Sequence, residues 1–219
     1  MTATPRSGAQ RAAIRDRQHQ EQAPERRAAV LTAQQIGQLL AIADPRDAAL
    51  VAVLAAGACR IGEALLLCWA DIDHNGRVTV PGSITKTGRS RAFTLPPQAL
   101  QHLRAWQHHC PTSERGWLFP GHPVRQPLST RAGQLAIKRL AERLGLEGVS
   151  SHSFRRSALT AAHQAGLPLR ALAELSGHQS LASLQRYLDA DAARAQAEEA
   201  RSLLFGAGPQ PCPLGSQQP

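Results

Sequence analysis

Aromatic side chains are scarce in this 219-residue chain: Phe, Trp and Tyr make up 4% of it, and tyrosine occurs once, as Tyr187. Lysine is nearly missing as well, with only Lys86 and Lys138 beside 25 − 2 = 23 arginines. Long apolar runs are missing: the longest, residues 48–59, falls short of the roughly 20 residues that a membrane-spanning helix needs. No apolar h-region opens the chain, so no secretory signal is expected. Paired cysteines are missing too. Cys59, Cys68, Cys110 and Cys212 are scattered without a CxxC unit, which argues against a disulfide framework and for a reduced, cytoplasmic setting. The group His102, His108, His109 and Cys110 matches no usual zinc spacing, so no metal site is expected there.

What the chain does have is positive charge. The formal net charge is +9 and the sequence pI about 10.8. Residues 125–186 hold nine Lys/Arg and three Asp/Glu, so 9 − 3 = +6 arises in that stretch alone. A domain this basic most simply meets a polyanion, nucleic acid first, although a merely soluble basic surface has the same composition. The choice of arginine matters chemically. A guanidinium clamps oxyanions with a planar fork and never gives up its proton, so it is a poor general acid. Lys86, an amine in a chain that otherwise writes arginine, can donate one.

The 42% hydrophobic content, rich in Ala and Leu, fits a mostly helical protein with a real core. Residues 1–28 lack an apolar period and read as a flexible basic tail. Thr32 with Gln35 has the pattern of a capping box, and Asp44 followed by Pro45 opens a second helix, with Gly57 as its stop. A short helix, "RIGEALLLCW", follows. Asn75-Gly76 is a hairpin turn signal, and "RVTV" and "RAFTL" alternate as strands do, which puts Lys86 in or beside the next turn, "KTGRS". Helices resume over 97–109, 129–144, 151–165, 168–175 and 180–204. Residues 206–219 are disordered by composition.

Six side chains could carry chemistry. His152 and Arg155 in "HSFRRS" share one helical face at i and i+3, as do Arg60 and Glu63 in "CRIGEALLL". Each pair alone could be a solvated or ion-paired surface couple. Arg60, however, sits between two apolar runs, where a free charge is costly, so Glu63 is expected to hold it. His178 lies between Gly177 and the Ser180 N-cap, and Tyr187 follows it nine residues later. Two guanidiniums, two imidazoles, one amine and one phenol suit phosphodiester transfer. The arginines and a histidine neutralise non-bridging oxygens, the phenol attacks, and the amine protonates the departing 5′ oxygen.

Taken in order, "AGACRIGEALLLCWADID", "ITKTGRSRAFTLP", "HSFR" and "SGHQSLASLQRYL" resemble the boxes of the tyrosine recombinase, or phage integrase, family over roughly residues 29–190. The resemblance implies an α+β fold, mostly helical with a small antiparallel three-stranded sheet, in a catalytic domain spanning residues 29–205 with its C-terminal helix. It implies Arg60, Lys86, His152, Arg155, His178 and Tyr187 as catalytic residues and Glu63 as support. The chemistry implied is nick-and-rejoin through a 3′-phosphotyrosyl link, with no metal, no ATP and no other cofactor. The implied partners are double-stranded DNA, further copies of the same chain assembled on it and an accessory DNA-bending protein, in the cytoplasm at the nucleoid and away from any membrane. Two departures stand out: Cys59 replaces the family's usual Leu, and about 30 residues precede the first helix where the family usually has a helical core-binding domain. Relaxation of supercoils in the manner of a type IB topoisomerase, or DNA binding without catalysis, would use the same fold.

Overall fold

Thr32 opens the first helix as its sequence pattern predicts. Its hydroxyl accepts from the Gln35 N–H at 3.2 Å, and the Gln35 side chain accepts from the Thr32 N–H at 2.9 Å. These bonds satisfy donors that a helix start otherwise leaves bare. The computed structural model describes residues 28–111, 116–178, 180–182, 184, 185 and 188. Within them run α1 (Ala33–Ile42), α2 (Pro45–Gly57), α3 (Ile61–Leu65), β1 (Arg77–Val80), β2 (Arg91–Thr94), α4 (Pro97–Gln107), α5 (Thr130–Arg143), α6 (Ser151–Gln164) and α7 (Leu169–Ser176). The N-terminal tail, Tyr187, the helix expected to run on to 204, Cys212 and the C-terminal tail lie outside the described residues.

The second helix is the hub. Asp44 caps α2 by accepting from the Asp47 N–H at 2.9 Å, and Pro45 fills its first turn. Residues Leu50, Val53 and Leu54 are fully buried, and the helix is apolar nearly all round because α1, α4, α5 and α6 surround it. Each such side chain is worth about 1.5–3 kcal/mol on burial. A second, smaller cluster joins Leu159 of α6, Leu172 and Ala173 of α7, and Leu184 and Leu188 beyond α7.

Gly57 ends α2, as the sequence leads one to expect, and Ala58 beyond it takes the left-handed position with φ 45°. Gly57 is needed for close packing: a Cβ there would stand 2.3 Å from Phe93 Cζ, so only glycine lets β2 press this closely onto α2. The sheet has two strands among the described residues, not three. Residues before β1 reach it only at the isolated bridge Ile72–Val78. There the Asp73 carboxylate accepts from the N–H groups of Asn75 and Arg77, both at 2.9 Å, and turns the chain before a third strand can form.

The β1–β2 register sets Val78 opposite Phe93 and Val80 opposite Arg91. Val78, Val80, Phe93 and Leu95 are buried, so this face of the hairpin packs on the core. The short α3 ends early because Leu67 and Trp69 pair with residues 116–118 instead: Leu118 N donates to Leu67 O, and Trp69 N to Gly116 O, each at 2.8 Å. Residues 28–31 are lashed to α6. Arg156 Nη1 donates to Ala28 O at 2.5 Å, and Leu31 N to Ser157 Oγ at 2.6 Å.

Candidate active site

Arg60 stands at the N-cap of α3, immediately beyond the bend at Ala58 and Cys59. Its Nη1 donates to Glu63 Oε1 at 2.9 Å, and its backbone N–H to Glu63 Oε2 at 3.1 Å. Glu63 is 3% exposed and so holds Arg60 from inside, as the i, i+3 spacing predicts. Burial works against the Glu63 charge, but the Arg60 hydrogen bond and the Arg91 charge outweigh it and keep the carboxyl below its usual range. Cys59 is fully buried, and that burial pushes its thiol up, leaving it a neutral packing group.

Arg155 enters from α6. Its Nη1 donates to Ala58 O at 2.7 Å, and its Nη2 lies 3.4 Å from both ring nitrogens of His178. Equal distances place that nitrogen against the ring rather than in line with one lone pair. Arg155 is 6% exposed, yet no carboxylate pairs with it directly among the described residues. Burial, and then the charge of Arg60, push its pKa down to about 10, so it stays protonated at neutral pH.

His178 is delivered by the end of α7. Gly177, left-handed at φ 68°, closes the helix, and the Gly177 and His178 N–H groups both reach Ala173 O, at 2.7 and 3.1 Å. Ser176 Oγ sits 2.7 Å from Leu172 O and 2.6 Å from His178 Nδ1. A carbonyl cannot donate, so the hydroxyl proton goes to Leu172 O and Nδ1–H donates to Oγ. That assignment leaves Nε2 open. Burial, and after it the charges of Arg155 and then Arg60, push His178 down to about 4.

A pH dependence follows. On acidification the unfolded chain takes up this proton near 6.5 and the folded one only near 4, so His178 lowers stability as pH falls through that window and costs nothing above it. In imidazole NMR of the DNA-free protein, the His178 midpoint should lie near 4 and rise when inorganic phosphate is added. A midpoint near 6.5 without phosphate would show that neither burial nor the guanidiniums act on this ring.

The described structure therefore brings together Arg60, Glu63, Arg155 and His178. His152 lies exposed in the first turn of α6, one turn before Arg155, and Lys86 lies exposed in the β1–β2 turn, whose shape is held by Thr85 Oγ1 donating to Gly82 O at 3.0 Å. Neither touches the cluster among the described residues. Tyr187 lies outside them, but Leu184 and Leu188 on either side of it in sequence are buried at 0% and 2%, anchored on α6 and α7.

One member escaped the sequence reading. Arg91, 8% exposed, pairs with Glu63 Oε2 at 2.6 Å. The available signal was phase: Arg91, Phe93 and Leu95 alternate on the core-facing side of β2, and a charge on that side needs a buried partner. Three guanidiniums against one carboxylate leave 3 − 1 = +2 around a neutral imidazole. Such a pocket is built for an oxyanion, and more so for one that gains charge as it reacts.

Both the sequence and the fold match known proteins. The model of the phage integrase family matches residues 29–194. Tyrosine recombinase XerC of Xanthomonas campestris pv. campestris is 35% identical over 148 residues, covering 67% of this chain and 45% of the relative. XerC of Xylella fastidiosa is 34% identical over 150 residues, covering 67% and 49%. This chain thus spans about half the length of the curated relatives it matches. Among solved structures, XerA recombinase superimposes with TM-score 0.66 at 22% identity, covering 83% of this chain and 66% of that one. XerH recombinase bound to its difH substrate gives TM-score 0.62 at 21% identity, covering 74% and 50%. At these identities the two structures establish the fold.

Proposed function

Because the chain belongs to the phage integrase family, we propose that it is a site-specific DNA recombinase that cuts and rejoins duplex DNA through a 3′-phosphotyrosyl intermediate. The observation that carries the reading is the excess of two positive charges that Arg60, Arg91 and Arg155 leave over Glu63, gathered beside neutral His178. A phosphodiester enters with one negative charge and gains more in the transition state.

In this mechanism Arg60 and Arg155 hold the non-bridging oxygens, joined by His178 once phosphate binding has protonated its Nε2. The Tyr187 oxygen attacks phosphorus, its proton passes to His152, and the bond to the 5′ oxygen breaks. Lys86 gives a proton to that oxygen, which leaves as a 5′-hydroxyl. The phosphate remains esterified to tyrosine, and attack by the 5′-hydroxyl of a partner strand reverses the steps and releases the enzyme. Copies of the chain assemble on double-stranded DNA, in the cytoplasm and with an accessory DNA-bending protein. Residues 29–205 form the catalytic unit.

The test uses nicked duplexes built from inverted repeats in the DNA flanking the gene, in EDTA and without nucleotide. A denaturant-resistant protein–DNA adduct at a 3′ phosphate is the expected result. Joined products from two sites mark recombination, whereas relaxation alone marks a topoisomerase. DNA binding without any adduct would leave a non-catalytic regulator.

A further inference from the structure

We propose that Arg91 is a positioning residue of this site, locking the Glu63 carboxylate and the end of α7 to strand β2 so that Arg60 and His178 face the phosphate at one fixed separation. The proposal rests on the recombinase reading above and concerns a residue which that mechanism does not use.

Arg91 touches every segment that builds the cluster except α6. Its Nη2 donates to Glu63 Oε2 at 2.6 Å and approaches Cys59 Sγ at 3.5 Å. Its Nη1 donates to Gly57 O at 3.1 Å, with a longer contact of 3.5 Å to Leu175 O. Its stem runs beside Gly177, where a Cβ would stand 3.4 Å from Arg91 Cδ and Nε. One planar fork thus ties the end of α2, the first turn of α3 and the turn that delivers His178. Cys59 belongs to this set: its sulfur accepts where the leucine usual in the family could not.

Exposure separates the two arginines on Glu63. Arg60 is 30% exposed and Arg91 8%, so Arg60 can meet a phosphate while Arg91 faces protein. Glu63 gives Oε1 to the Arg60 guanidinium, while Oε2 accepts from both the Arg91 guanidinium and the Arg60 backbone N–H. If Arg91 let go, Glu63 could turn both oxygens to the Arg60 guanidinium, draw its fork inward and cancel the charge meant for DNA. Arg91, with the Arg60 backbone N–H, prevents that by holding Oε2. A lysine could reach Glu63 as a point charge but could not span Gly57, Leu175 and Cys59 as well.

The test is Arg91→Lys in the full chain, measured by single-turnover cleavage on the duplexes above and by imidazole NMR without DNA. The melting temperature, the half-saturating DNA concentration and the fraction of enzyme that reacts should stay near wild type. The cleavage rate constant should fall by roughly 10–100-fold, the order expected when reacting groups are misplaced by about 1 Å. The His178 midpoint should move up from about 4 as its turn loosens from Arg155 and Arg60. Should Arg91→Lys fail to fold, Glu63→Gln, which weakens the hold on Arg91, should show the same pair of changes. An unchanged rate constant with an unchanged midpoint overturns the proposal, and so does a loss confined to the reacting fraction. A wild-type chain that forms no adduct overturns the recombinase reading, whereas the midpoint in DNA-free protein reads the Arg91 link separately.

Discussion

With Tyr187 changed to phenylalanine, no covalent protein–DNA product will accumulate on duplexes that the wild-type chain cleaves. Tyr187 is the only tyrosine in the sequence, so no neighbouring phenol can take its place. The exchange deletes one oxygen and keeps the ring, and the buried Leu184 and Leu188 that flank position 187 in sequence are untouched. DNA binding should therefore survive with its salt dependence intact, because phosphate contacts carry it. Deleting a covalent nucleophile typically costs on the order of 10⁴–10⁶ in rate, which puts the variant below detection in an adduct assay. The measurement is adduct yield after denaturation, with binding followed in parallel by gel shift. An adduct of undiminished yield would move the nucleophile to a serine or cysteine and end the phosphotyrosyl mechanism.

Arg155→Ala should come next in severity, lowering the single-turnover cleavage rate by about 10²–10³-fold or more, the range for removing one oxyanion donor. The structure gives three reasons. The variant removes one of the two uncompensated charges, leaves Ala58 O without its 2.7 Å partner, and takes away the guanidinium that packs against His178. Arg155 is, after burial, the largest cause of the low His178 pKa, so the His178 midpoint should climb from about 4 toward its ordinary value. Arg155→Lys keeps the charge but offers one donor centre where two are in use, and it should recover little of the lost rate. The two readouts move together only if Arg155 and His178 work as one unit. A variant that cleaves within tenfold of wild type would remove Arg155 from the transition state.

Much of the fold was legible because its signals are local. The Thr32–Gln35 cap, the Asp44 cap, the alternation of β1 and β2 and the Arg60–Glu63 spacing each depend on side chains a few residues apart. What was missed depends on distant partners. That Phe93, far along the chain, closes on Gly57, and that the left-handed turn falls on Ala58, no local pattern shows. Arg89 and Arg91 look alike in "TGRSRAF", and only the phase of β2 against Val80 turns Arg91 inward. The third strand came only from the family resemblance, and it is absent among the described residues because the Asp73 turn bends the chain first.

The bonds that hold the cluster also decide when it can exist. Glu63 meets Arg91 across 28 residues, Arg91 reaches Leu175 across 84, and Arg155 reaches Ala58 across 97. Contacts of such separation form only after their loops have closed, late in folding. During synthesis the N-terminal parts emerge first, so a growing chain shows Arg60 and Glu63 long before His178 and Tyr187 exist. An unfinished or proteolysed chain therefore has either the phenol without its cradle or the cradle without its phenol. Under the proposed mechanism that arrangement is an interlock: the nucleophile joins its cradle last, so cutting waits for a chain complete through Tyr187.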